Sequence, residues 1–470
     1  MLFNSLHFGI FYIIVIILYF VLDHRFRWFL LLVASCYFYM VFKPIYILIL
    51  GFTIVIDYYA GILIENSEGP LRKRYLLMSL IANISVLAVF KYYNFINFNI
   101  SELLAEFGTK NPIPYLNILL PIGLSFHTFQ AMSYTIEVYR GNHKAERHFG
   151  IYSLYVMFFP QLVAGPIERP QNILYQFHER KYFNYSFVAS GLKLMLWGFF
   201  KKLVVADRCA IYVNAVYGQP EHYNAATLIT ATLFFTVQIY CDFSGYTDIA
   251  IGCAKVMGFD LMKNFNRPYF ARSVHEFWSR WHISLSTWFR DYLYIPLGGN
   301  RVKKPRWIFN LLIVFILSGL WHGANWTYII WGGLNGLYLI LAILILGKID
   351  YKKHSALFNG INILWTFSLI SFTWIFFRAN SVHDAFLICE SIFSFKKGGY
   401  FIGTPTTFMS SITFILFLFT VEFFNEYYPG KIVLFNNKNT VVRYLSYITI
   451  IFIIILFGVF DGGQFIYFQF

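Results

Sequence analysis

The sequence predicts an all-α polytopic membrane protein with about ten to twelve membrane segments, some transmembrane and some re-entrant. Three observations carry that prediction. Several apolar runs are about 20 residues long, the length a helix needs to cross ~30 Å of hydrocarbon. Of the 470 residues, 58% are hydrophobic and only 13% are charged, whereas a soluble domain carries about 25% charged residues. The basic residues gather between the apolar runs, as the positive-inside rule requires. Helices packed side by side in a bilayer make one bundle. The expectation is therefore a single membrane domain over 1–470, with N-terminal helices at 1–96, a core at 117–346 and C-terminal helices at 357–470.

The first helix spans Leu6–Val21 and ends at "DHRFR". The second, Trp28–Phe42, is broken by Lys43-Pro44. The third covers Ile45–Ile64 and leads into Arg72, Lys73 and Arg74, and the fourth covers Tyr75–Phe95. The basic clusters at 24–27 and 72–74 lie two helices apart, hence on one face. If that face is cytoplasmic, the N-terminus is outside, and continuing the alternation puts the C-terminus outside as well. Residues 96–116 are polar, with "ISELLAEF" a candidate amphipathic helix on the outer surface. Leu119–Tyr139 crosses inward to "RGNHKAERH". Long helices follow at Phe187–Val216 and Ala225–Gly258, and further crossings at Trp326–Leu346, Leu357–Phe377, Phe408–Phe424 and Tyr444–Val459.

Two helices carry polar stripes. His127, Gln130, Tyr134 and Glu137 share one face, as do Gln238, Asp242 and Gly245. One reading is hydrogen bonding between helices; the other is that both stripes line a polar central space.

Composition also excludes function classes. In a soluble chain a net charge of +14 would suggest nucleic acid, but the positive-inside placement accounts for it, so no nucleic-acid partner is expected. The cysteines (Cys36, Cys209, Cys241, Cys253, Cys389) are scattered without a CxxC, and no histidine pair has metal-ligand spacing; no metal site is expected. The first apolar run has no small-residue cleavage site and reads as a retained helix. There is no G-x-S-x-G and no P-loop.

The stretch from Arg272 to Gly333 is organised differently. It holds "HEFWSRWHISLSTWFRDYLYIPLGGNRVKKPRW" and then "SGLWHGANWTYIIWGG". Ionisable groups at membrane depth are costly and therefore usually functional, which singles out His282 and His322. The apolar run Trp307–Leu320 rises only about 21 Å at 1.5 Å per residue, short of ~30 Å of hydrocarbon. The corner that follows it, with His322, Trp321 and Asn325, is thus expected inside the membrane profile, where protein or a cavity must cover its backbone. Desolvation favours neutral imidazole, the form that serves as a general base. His282, Ser286 and Arg290 fall on one helical face with Trp278 nearby, on an element suited to the interface. Taken alone, either histidine could be structural.

These stretches, with "PIGLSFHTFQAMSYTIEVYRG", "FFPQLVAGPIERP" and "IYCDFSGYTDIAIGCAKVMGFDLMKNFNRPY", resemble the membrane-bound O-acyltransferase family, in particular its bacterial branch of alginate and peptidoglycan O-acetyltransferase membrane subunits. The resemblance spans essentially the whole chain. It implies a ring of helices around a thinned central funnel, with a tunnel reaching the histidine from both sides. It also implies acetyl transfer from a cytosolic donor, acetyl coenzyme A, to an extracytoplasmic cell-envelope polysaccharide. The family's catalytic histidine matches His322 in "LWHG", and its second functional position matches His282 in "RWH". Trp278, Ser286, Arg290, Trp321, Asn325, His127, Gln238 and Asp242 are then candidates to line the tunnel.

The terminal "FIYFQF" resembles a motif of the same branch whose tyrosine is proposed to carry the acyl group, which makes Tyr467 a candidate relay; alternatively the aromatic run anchors in the interface. The implied partners are a separate extracytoplasmic transferase resembling SGNH hydrolases, the polysaccharide and the lipid bilayer of a bacterial cytoplasmic membrane. A transporter or channel is the rival class, and it would show paired broken helices in two halves. Lipid, protein or teichoic-acid acceptors are the rivals within the family.

Overall fold

The computed structural model describes residues 1–347, 349–430, 434–460 and 465–466. Among the described residues there is no β-strand. The helices are α1 (Leu6–Val21), α2 (His24–Met40), α3 (Ile47–Asn66), α4 (Gly69–Leu87), α5 (Tyr93–Glu106), α6 (Leu124–Arg140), α7 (Phe149–Met157), α8 (Pro170–His178), α9 (Tyr185–Phe199) and α10 (Asp207–Gly218). There follow α11 (Ala225–Val256), α12 (Val274–Arg280), α13 (Ile283–Phe289), α14 (Lys304–His322), α15 (Trp326–Leu341), α16 (Ala356–Arg378), α17 (Val382–Phe393), α18 (Pro405–Tyr427) and α19 (Thr440–Phe457). Among the described residues, eight helical segments are long and apolar enough to cross a membrane: Pro44–Asn66, Gly69–Glu106, Ala225–Val256, Lys304–His322, Trp326–Ile345, and those of α16, α18 and α19. The shorter α1 is apolar as well. Several starts are set by side-chain caps: Ser5 Oγ accepts from Phe8 N at 3.1 Å, and Ser381 Oγ from Asp384 N at 3.1 Å.

By packing, the chain divides into two compact units, Met1–Met195 with Thr247–Met262, and Leu196–Tyr246 with Lys263–Phe470. In the first, α3, α4 and α6 pack together around a buried polar knot. Asp57 there accepts from Ser79 Oγ at 2.6 Å and from Asn83 Nδ2 at 2.9 Å. The helical segment that α4 begins does not stop near Phe95 as its apolar run suggested but extends to Glu106. It passes through a widened turn at Ala88–Tyr92 into α5, because the asparagines on α5 bond the returning chain, as Asn94 does with Leu116. α6 starts at Leu124 rather than Leu119: Pro121 precedes it, and Gly123 sits at φ 75, where a Cβ would meet the Leu162 carbonyl at 2.8 Å.

The polar stripe of α6 makes contacts inside this unit. His127 Nδ1 lies 3.1 Å from the Gly123 carbonyl, Gln130 donates to the Tyr155 carbonyl, and Glu137 accepts from Asn142 and Gln171. Of these, the Gln130 bond to α7 and the Gln171 bond from α8 join helices, while the other two are local to α6 and its ends.

In the second unit, α14 and α15 form a close antiparallel pair and α16 packs on α15. Gly319 and Gly332 let the backbones meet: a Cβ on Gly319 would strike the Tyr328 carbonyl, and one on Gly332 the Phe315 carbonyl. A Cβ on Gly333 would enter open space. Gly332→Ala is therefore expected to lower stability by about 1–3 kcal/mol through overpacking, while Gly333→Ala is neutral or slightly stabilising. Thermal unfolding of the two variants in detergent checks this, and equal midpoints would refute it.

Candidate functional site

The second unit brings His282 and His322 together. Their ring centroids are 6.5 Å apart, and the two side chains are 1% and 4% exposed as residues. His322 is the last residue of α14. The helix is longer than its apolar run, because Lys304, Pro305 and Arg306 form its first turn, with proline where its missing N–H costs nothing. Rings box the imidazole: Trp321 at 5.0 Å, Trp331 at 5.1 Å and Phe377 at 5.4 Å, all edge-on. Trp331 in turn stacks on Trp374 at 5.5 Å.

The segment around His282 was expected to be one helix. Instead it breaks at His282 itself, which takes φ 43 and ψ 55 and starts α13 after α12 has ended at Arg280. A left-handed backbone at a non-glycine residue is uncommon and needs outside support. The loop at 264–266 provides it: Ile283 N donates to the Asn264 carbonyl and Asn266 N to the Arg280 carbonyl, each at 2.9 Å. The ring packs edge-on against Phe243 at 4.6 Å and near Trp321 at 6.1 Å. His282 lies outside the membrane-spanning helices, and burial pushes its imidazole down to about 3, so it is neutral over the working range of a cell.

A cavity of about 1310 Å³ has both histidines in its wall. Trp278, Ser286 and Arg290 line it too. Among its lining residues, Arg290, Asn300, Lys304 and Gly347 are exposed. Arg272 is also in the wall, held by Glu276, whose carboxylate takes hydrogen bonds from Arg272 N at 2.9 Å and Arg280 at 2.7 Å. Arg280 and Arg267 both reach Glu426 on α18, which fixes α12 in place. Burial alone would raise Glu276, but its arginine partners outweigh that and hold it below the usual carboxylate range. The indole N–H of Trp278 is buried and has no hydrogen-bond partner among the described residues, which leaves a donor for a ligand in the cavity.

The other predicted residues lie off this wall. Trp321 packs behind both histidines. Asn325 caps α15, accepting from Thr327 N at 3.0 Å. His127 is buried within the first unit. Gln238 is buried on α11. Asp242, one helical turn further along, is paired with Lys202, which also reaches Asp207 at 2.8 Å. Its other oxygen accepts from the backbone N–H of Ile466 at 2.7 Å. Phe465 packs on Tyr246 at 4.7 Å and on Phe243 at 5.6 Å, the ring that touches His282. Tyr467 lies outside the described residues.

Sequence reasoning missed the pairing of Asn264 with His282 and of Lys202 with Asp242. Both join residues from separate segments, and beforehand only the places of Asn264 and Asp242 inside a quoted stretch were visible.

Fold and site define an integral, multi-pass α-helical membrane protein with a buried histidine pair at the wall of a large cavity. The model of the membrane-bound O-acyltransferase family matches residues 16–381. The chain belongs to that family and is an acyltransferase. It is 39% identical over 380 residues to a probable alginate O-acetylase of Pseudomonas aeruginosa, covering 80% of this chain and 72% of the relative. It is 36% identical over 391 residues to a peptidoglycan O-acetyltransferase of Helicobacter pylori, covering 77% and 73%. A teichoic acid D-alanyltransferase of Bacillus subtilis is 29% identical over 231 residues, covering 47% and 58%.

Proposed function

We propose that this enzyme takes acetyl from acetyl coenzyme A on the cytoplasmic side of a bacterial cytoplasmic membrane and passes it outward for O-acetylation of a cell-envelope polysaccharide. The observation that carries the reading is the pair of buried histidines in one cavity wall that also carries the exposed cations Arg290 and Lys304. Arg290 and Lys304 suit the phosphates of the donor; both also follow the positive-inside rule. The names of the alginate and peptidoglycan relatives support acetyl as the group and an envelope polymer as its destination.

In the reaction, His322 accepts the proton of the attacking hydroxyl as its oxygen bonds to the thioester carbon. The carbon–sulfur bond breaks, and the thiolate leaves and takes up that proton. His282 lies beside it to orient the hydroxyl or share the proton. The hydroxyl we assign to the first transfer is the phenol of Tyr467, giving a tyrosyl acetate that an extracytoplasmic transferase resembling SGNH hydrolases hands to the polysaccharide. The anchoring of the two residues before it, Phe465 and Ile466, beside Phe243 and Asp242 supports that assignment. Both chain termini then lie on the outer side.

Labelled acetyl coenzyme A supplied to inverted vesicles tests the reading. Label on the protein is expected in wild type and absent in Tyr467→Phe, with His322→Ala losing donor consumption as well. Normal labelling of Tyr467→Phe defeats the relay alone. Deleting the gene should remove O-acetyl groups from an envelope polymer by mass spectrometry; loss of D-alanyl esters instead would favour the teichoic-acid reading.

A further inference from the structure

We infer that Asn264 is a positioning residue that fixes His282 in the tautomer with hydrogen on Nδ1, leaving Nε2 as its basic nitrogen. The inference deepens the acyl-transfer reading above, but its structural part can be tested without it.

Three groups converge on one atom. Asn264 Oδ1 is 3.1 Å from Ser284 N, 3.0 Å from Ser284 Oγ and 3.1 Å from His282 Nδ1. The backbone N–H of Ser284 can only donate, so the amide atom facing it is the oxygen; turning the amide over would set N–H against N–H. Once that oxygen is fixed, a bare Nδ1 at 3.1 Å would oppose lone pair to lone pair, so Nδ1 carries the hydrogen. A neutral imidazole has one donor and one acceptor nitrogen, and the acceptor is then Nε2.

Asn264 is 1% exposed, and its own backbone carbonyl bonds Ile283 N, so both ends of the residue grip the left-handed turn at His282. This is the arrangement in which a third group orients an acid–base histidine. An amide supports the tautomer without adding charge. The ionisable groups around His282 are His322 on α14, Glu276 on α12 and Arg272 and Arg290 along the cavity wall, and on α11 the Lys202-paired Asp242 next to Phe243. None of them replaces the oxygen at Nδ1.

The test uses the full chain in lipid nanodiscs, with ¹⁵N-labelled histidine and His282→Gln to assign the signal. Wild type should show His282 with a protonated Nδ1 and a bare Nε2. An Nε2–H tautomer overturns the inference, whatever the substrate proves to be. Asn264→Asp keeps an acceptor for Ser284 N and His282 but adds a negative charge. It should move the protonation midpoint of His282 upward by about one pH unit or more, and the acid limb of acetyl coenzyme A turnover with it. Asn264→Leu should lower kcat by about 10²-fold with KM for acetyl coenzyme A within about twofold. An Asn264→Asp variant with unchanged histidine titration, or an Asn264→Leu variant with wild-type kcat, refutes the positioning role. Wild type that consumes no acetyl coenzyme A defeats the donor assignment and leaves the tautomer result standing.

Discussion

Replacing His322 with alanine is expected to slow acetyl transfer by about 10²–10⁴-fold, the usual worth of a placed acid–base group. The residue ends α14 inside a box of Trp321, Trp331 and Phe377. Those rings pack edge-on around the imidazole at the cavity wall, but cannot take up a proton. His282, with its ring centred 6.5 Å away and its backbone locked in the left-handed turn, keeps a position of its own in the wall. His322→Gln should be nearly as slow, since it keeps much of the side-chain volume but not the basicity. Donor consumption and acetyl release are the measurements, with monodisperse elution in detergent as the check on folding. A well-folded His322→Gln enzyme at wild-type rate would remove His322 from the mechanism.

Replacing Lys202 with methionine is expected to cost about 3–5 kcal/mol of stability, as breaking a buried ion pair does when the partner charge is stranded. The lysine is the shared cation of Asp242 and Asp207, all three side chains being at most 9% exposed. Without it, two buried carboxylates face each other. The loss should also reach the C-terminus, because Asp242 holds Ile466 N–H through its second oxygen. Asp242→Asn, which keeps an acceptor, should therefore destabilise less than Lys202→Met. Thermal unfolding ranks the two, and protease nicking of the tail reports its release. A Lys202→Met protein as stable as wild type, with a protected tail, contradicts this account.

Length and hydropathy gave the helical skeleton directly: α1 spans Leu6–Val21 as read from its apolar run, and α11, Ala225–Val256, differs from the expected Ala225–Gly258 only at its end. Helices of this kind are legible because the bilayer fixes their length and apolarity. The misjudged boundaries lie where a partner elsewhere in the chain, or a local proline or glycine turn, outweighed the apolar pattern. α4 runs on into α5 because Asn94 bonds Leu116, and α14 begins early because a proline turn recruits the basic cluster. The break at His282 has the same origin. A helical pattern runs through Trp278, His282 and Ser286, but loop 264–266 supplies bonds that outweigh it.

The sequence by itself determined that this is a membrane-embedded helical protein, which histidines stand out, and which family's motifs they sit in. A few apolar runs and the cost of an ionisable group in hydrocarbon are enough for the first two, since both act residue by residue. Tertiary structure alone decided that Trp278, Ser286 and Arg290 share a cavity wall with the two histidines. It also decided that Asp242, paired with Lys202, accepts from Ile466 N–H, and that Asn264 faces His282 Nδ1. Hydrogen-bond direction and ion pairing depend on distances of about 3 Å between groups far apart in the chain, and no periodicity in one strand of sequence encodes them.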